Sequence, residues 1–177
     1  LISENISAIC THTPFDMSPL GMNKGLYDLL AAPLGLSDDS IPLEETGEGL
    51  SVGRIYELKA PLSPEEAAKR AKIALGCTAV RFSQGGRDIR KIAISSGSGG
   101  SFVGLARKKG ADALISGDFK HDAFIDAGNA GFTIIDCGHY HTERIFNGIM
   151  KDLLAEKFPE INVTEARSST DPASYII

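Results

Sequence analysis

The sequence has no tryptophan, only three cysteines, only four histidines and fewer positive than negative side chains. Cys10, Cys77 and Cys137 are odd in number, widely spaced and never in a Cys-x-x-Cys arrangement. That excludes a disulfide framework and reads as reduced thiols, each a small buried apolar residue. Eighteen Lys and Arg against 23 Asp and Glu leave a net charge of −5 and a pI near 5.4. Such a chain offers no broad basic face to a phosphate backbone, which disfavours nucleic acid as a partner. No apolar run approaches the roughly 20 residues needed to cross a bilayer, and the N-terminus lacks signal-peptide architecture. The expected compartment is the cytoplasm. The chain opens Leu1-Ile2-Ser3 without Met and enters an apolar segment, Ile6 to Cys10, almost at once. The expectation is a piece of a longer protein with residues missing upstream.

What is present is enough for a core: 42% of 177 residues are apolar, suiting one domain, or one with a small annex. Period-2 or continuous apolar runs alternate with period-3.6 runs. Strands are expected at Asn5 to Thr11, Leu50 to Leu58, Ala79 to Phe82, Ile89 to Ser95, Ala113 to Ser116, Phe132 to Cys137 and Asn162 to Ala166. Helices are expected at Asn23 to Ala32, with Leu26, Leu29 and Leu30 on one face, and from Ser63 to about Leu75. Others are expected at Ser101 to Lys109, Lys120 to Ala130 and Thr142 to Phe158. Ser63-Pro64-Glu65-Glu66 is a helix start, with a capping Ser, Pro at the first helical position and Glu66 completing a capping box. Residues 37–49, with Asp38, Asp39, Glu44, Glu45 and Glu48, read as an acidic solvated loop. The alternation predicts an α/β fold with parallel pairs. Ile92 to Ser95, Ala113 to Ser116 and Phe132 to Cys137 should be neighbours in one sheet.

Two of the four histidines sit four residues before a carboxylate, each pair just after an expected strand: His12 and Asp16, then His139 and Glu143. Ligands in α/β sheets gather beyond the carboxyl ends of strands. Imidazole with carboxylate suits zinc, iron, manganese or nickel. On a helix start the i, i+4 offset brings His139 and Glu143 to one side. Each pair alone reads first as a surface ion pair or a helix cap; two such pairs, both after expected strands, bring the metal reading level with it. His121 follows Ser116-Gly117-Asp118; there Asp118 reads first as a helix cap, and alternatively as an acid at the rim of the same site. His141 reads as solvent-facing. Gly97-Ser98-Gly99-Gly100-Ser101 reads as a tight turn rather than an anion cradle, since it lacks the Gly-Lys-Ser/Thr ending of a P-loop.

Four segments together resemble the Nif-three-like family, whose members are called GTP cyclohydrolase I type 2 homologues. They are His12-Thr13-Pro14-Phe15-Asp16 followed by Gly21-Met22-Asn23; Ile92 to Ser101; Gly110 to Asp118; and Asp136 to Arg144, which carries Gly-His-x-x-Thr-Glu. The resemblance implies a compact Nif-three-like α/β unit over 1–177, with layered sheets and alternating strands and helices. It implies divalent metal ions, two per full-length subunit, of zinc, iron or manganese. Asp16, His139 and Glu143 fall on family ligand positions, and His12 on a histidine near the metals. The family's His-His pair comes from a segment before residue 1. Also implied are a homo-oligomer, a hexamer, and metal-dependent hydrolysis of a purine nucleotide such as GTP, in which His12 or Asp118 moves protons. The alternative is a non-enzymatic metal-binding or regulatory interaction protein.

Overall fold

Successive strand residues point to opposite faces of a sheet, so a run that is apolar throughout must be covered on both sides. In the computed structural model, which describes residues 1–47, 50–166, 168 and 170–176, the chain meets that requirement with helices on each face. The elements are α1 (His12–Met17), α2 (Met22–Leu34), β1 (Leu36–Gly47), β2 (Leu50–Leu62), α3 (Pro64–Leu75), β3 (Arg81–Phe82) and β4 (Ile89–Ser98). There follow α4 (Val103–Lys108), β5 (Ala113–Gly117), α5 (His121–Asn129), β6 (Thr133–Asp136), α6 (His139–Glu143) and α7 (Phe146–Lys157). Among the described residues one six-stranded sheet has the order β1-β2-β4-β5-β6-β3. The strands β4, β5 and β6 are parallel neighbours, with Ile94 opposite Ile115 and Ile115 opposite Ile135. The expected three-strand neighbourhood is therefore present, and the α/β class is correct. The β1–β2, β2–β4 and β6–β3 pairs are antiparallel.

Alternation along the strands divides the core in two. Ile92, Ile94, Ile115 and Ile135 pack with Leu26, Leu30 and Leu34 of α2 and Ala67, Ala71 and Leu75 of α3. Ala93, Leu114 and Ile134 pack on the other face with Ala106 of α4 and Ala127 of α5. The α3 start is as expected: the Ser63 hydroxyl accepts from the Glu66 amide at 3.2 Å. The Glu66 carboxylate, however, takes the Arg70 guanidinium at 2.6 Å. Cys77 and Cys137 are buried free thiols, with Cys77 Sγ donating to the Cys137 carbonyl at 3.4 Å; Cys10 is exposed. Among the described residues no helix is long and apolar enough to cross a membrane.

Several expected elements differ. Asn5 to Thr11 forms no strand: no neighbouring strand pairs it, and Ile6 and Ile9 face outward. The acidic segment is not a loop but the edge strand β1, paired to β2 through Ser40 opposite Tyr56 and Glu44 opposite Val52. Leu36 and Leu43 are buried there, while Asp38, Asp39, Glu44 and Glu45 project outward. Outward charge and Pro42 are tolerated on an edge and discourage further strand pairing. Glu48 and Gly49 lie outside the described residues. Asn162 to Ala166 is not a strand. The expected Thr142 to Phe158 helix is two helices broken at Arg144, whose guanidinium reaches the Leu75 carbonyl at 3.0 Å.

In α2 the buried stripe is Met22, Leu26, Leu30 and Leu34, and Leu29 lies off it. Leu30 is fully buried and Leu29 is 38% exposed. Leu30→Ala should therefore lower unfolding free energy by about 2–5 kcal/mol in urea melts. Leu29→Ala should stay within about 0.5 kcal/mol.

Candidate metal centre

The parallel strands β4, β5 and β6 end on the same side, and the loops leaving them bring distant residues together. β4 contributes Ser96 and Gly97, the loop after β5 contributes Asp118, and β6 leads through Gly138 into α6 with His139 and Glu143. The turn into α6 is held by the buried Asp136, whose Oδ1 accepts from the Gly138 amide at 3.0 Å. Its Oδ2 pairs with the Arg81 guanidinium. Gly117 is a glycine of necessity: a Cβ there would come within 2.5 Å of the His139 amide nitrogen and 2.6 Å of the Gly138 carbonyl carbon.

His139 is the centre of the arrangement. Its Nδ1 lies 2.8 Å from Asp118 Oδ2 and its Nε2 lies 3.1 Å from Glu143 Oε2. Asp118 is therefore not the cap of α5, which starts at His121 after Lys120 with no side-chain cap. It holds the ring from behind, in a left-handed backbone conformation at φ 56°. Asp16 comes from α1 and not from a strand end. It lines the same cleft, and its Oδ1 accepts from Ser96 Oγ at 3.3 Å. His12 also lines the cleft, with Nδ1 2.9 Å from Thr13 Oγ1. His141 is not solvent-facing: it is 4% exposed, and among the described residues its Nδ1 has no hydrogen-bond partner. His121 is an exposed residue at the start of α5, away from this cluster of contacts.

The glycine-rich turn is a tight turn, as expected. Gly97 N–H donates to Thr142 Oγ1 at 3.0 Å and Gly99 N–H to the Gly117 carbonyl at 3.0 Å, so both amides are already committed. Gly97 has φ 64°, and a Cβ there would run into Glu143 Oε1. Ser96 and Thr142 carried no signal in the sequence beyond their places within the resembling segments.

Titration follows from the geometry. Burial raises the Asp16 pKa; the Ser96 hydrogen bond and the charges of His12 and His139 oppose this without overcoming it. For His139 burial acts to lower the pKa. The Asp118 hydrogen bond and the charges of Glu143 and Asp118 outweigh it, so the net shift is upward. Burial lowers the His141 pKa, against the pull of Asp171.

Among the described residues no group of three or more His, Cys, Asp or Glu side chains is drawn close enough to hold a metal ion. Two donors nevertheless stand at a ligating bite. Atoms bound to one ion at about 2.0–2.2 Å sit roughly 3–4 Å apart, and His139 Nε2 and Glu143 Oε2 are 3.1 Å apart. A histidine whose Nδ1–H is held by a carboxylate presents Nε2 as the ligand atom, which is the usual arrangement behind a metal-bound imidazole. The donor set fits a divalent ion, with Asp16 facing the same space.

Residues 1–172 match the family described as Duf34/NIF3 (NGG1p interacting factor 3). A protein of Clostridium perfringens named GTP cyclohydrolase 1 type 2 homolog is 33% identical over 178 residues, covering 99% of this chain and 67% of that protein. The Protein NIF3 homolog of Schizosaccharomyces pombe is 32% identical over 163 residues, covering 89% of this chain and 56% of that protein. A crystal structure of a Staphylococcus aureus hypothetical protein superposes with a TM-score of 0.84 at 25% identity, covering 99% of this chain and 70% of that one. The chain thus spans between about half and 70% of the length of these proteins.

Replacing Asp118 with Asn should lower the His139 pKa in metal-free protein, measured from its ring proton shifts by NMR titration. The raised value means that His139 adds stability that is fully present below its ordinary 6.5 and is lost as pH rises through the raised pKa. That pH-dependent loss should shrink in Asp118→Asn. An unchanged His139 titration would show that Asp118 does not control the ring.

Proposed function

The chain belongs to the Duf34/NIF3 family, and on that premise we propose that Asp16, His139 and Glu143 hold a divalent metal ion that serves hydrolysis. The observation that carries this reading is the state of His139: Nδ1 held by Asp118 at 2.8 Å and Nε2 turned to Glu143 at 3.1 Å. When bound, such an ion lowers the pKa of water toward about 7 and polarises the bond under attack.

The chain's own residues would do the rest. Asp118 fixes the orientation of the His139 ring and keeps its Nε2 lone pair on the cleft side. Ser96 holds the Asp16 carboxylate against β4. His12 lies on the cleft wall and would be the group that accepts or delivers a proton at its ring nitrogen. The cleft has a volume of about 610 Å³, within the range of small-molecule sites. Phe15, Met22 and Phe146 give it apolar walls suited to a flat ring. A purine nucleotide such as GTP is the substrate suggested by the names of the relatives. The second reading is a metal-binding protein that acts through a protein partner; the family description, which speaks of an interacting factor, supports it.

Ion binding requires a neutral His139, and its raised pKa extends proton competition above the ordinary 6.5. Zinc or manganese titrated by calorimetry should bind more tightly at about pH 8 than at about pH 6, with proton release. Affinity should collapse in His139→Ala. Loaded protein should turn over GTP, and Glu143→Ala should abolish turnover. Tight ion binding with no nucleotide turnover would favour the interaction reading; no ion binding would end both.

A further inference from the structure

The proposed donors arrive on two separate pieces of the fold. His139 and Glu143 are carried by α6. Asp16 is tied by Ser96 to β4, one residue before Gly97. The geometry of the centre therefore depends on how α6 is seated against the end of β4. At that junction stands Thr142, fully buried, polar, and neither a ligand candidate nor a core apolar residue.

The Thr142 hydroxyl has one hydrogen and two lone pairs. It donates to the His139 carbonyl at 2.8 Å, with the Gly138 carbonyl farther off at 3.3 Å, and accepts from the Gly97 amide at 3.0 Å. Both sides of the junction are thus joined through one oxygen. The approach is close because Gly97 has no side chain: a Cβ would strike Glu143 Oε1 and come within 3.4 Å of the His139 ring.

Resting on the metal reading above, we propose that Thr142 is a positioning residue for the metal centre. Its hydroxyl fastens the Gly97 turn of β4 to the first turn of α6 and so sets His139 and Glu143 against the Ser96-held Asp16. A valine has the same shape but no hydroxyl. It leaves the Gly97 N–H without its acceptor in a buried place, which drives β4 and α6 apart. A serine keeps the oxygen.

The test compares wild type, Thr142→Val and Thr142→Ser, first metal-free and then titrated with zinc alone. In metal-free protein, hydrogen exchange at the Gly97 amide should be faster in Thr142→Val and near wild type in Thr142→Ser. Zinc affinity by calorimetry should fall about 10- to 100-fold in Thr142→Val and recover in Thr142→Ser. If Thr142→Val does not fold, Thr142→Ala removes the same hydroxyl with less bulk beside the amide. A role confined to stability would lower the melting temperature and leave the zinc affinity of the folded variant unchanged, and that result overturns the proposal. So does unchanged Gly97 exchange. If wild type binds no zinc, the metal reading has failed on its own. The positioning role then stands or falls on whether the crystal structure of the hydroxyl-free variant shows α6 displaced from β4.

Discussion

Close backbone approach at the carboxyl ends of three adjacent parallel strands is the constraint on which the site depends. Gly117 lets the Gly138–His139 peptide cross the end of β5 at a distance that no side chain would permit. Gly97 lets Glu143 and the His139 ring lie directly on the end of β4. The strands can deliver these glycines side by side because their apolar residues, alternating across both covered faces, fix the register of β4, β5 and β6. A one-residue slip would exchange the faces and separate the loops that carry Ser96, Asp118 and His139.

On that frame the electrostatics point in one direction. His139 sits between two carboxylates, Asp118 and Glu143, and a third, Asp16, is raised in pKa by burial in the same cleft. The nearby Arg144 is committed to the Leu75 carbonyl. A cleft lined by the carboxylates of Asp16 and Glu143 and the imidazoles of His12 and His139, with Asp118 behind His139, favours a cation over an anion. A divalent ion beside Asp16 would oppose the burial that raises its pKa.

Much of the fold was legible in the sequence because β4, β5 and β6 are buried on both faces and written in continuous apolar runs bounded by glycines. The Ser63-Pro64 start of α3 was legible for its local capping chemistry. The acidic strand β1 was not: its membership in the sheet comes from pairing with β2, and an edge strand with only Leu36 and Leu43 buried has a polar composition like that of a loop. Asn5 to Thr11 shows the converse, an apolar run with strand-like composition and no partner. At the site, the His139–Glu143 pair was legible from its i, i+4 offset together with the resembling Gly-His-x-x-Thr-Glu segment, although the helix that carries it starts at His139 and not at the expected Thr142. The hold of Asp118 on His139 did not, because it joins residues on different crossovers; nor did the burial of His141, which is set by packing around α6 rather than by its own neighbours.

Whether one ion is shared by Asp16, His139 and Glu143 can be read from anomalous diffraction at the zinc edge of zinc-loaded crystals. The expected result is an anomalous peak within bonding distance of His139 Nε2 and of the Asp16 and Glu143 carboxylates, with Asp118 still on His139 Nδ1. A peak elsewhere, at His121 or at the Cys77–Cys137 thiols, with the His139–Glu143 contact undisturbed, would contradict it.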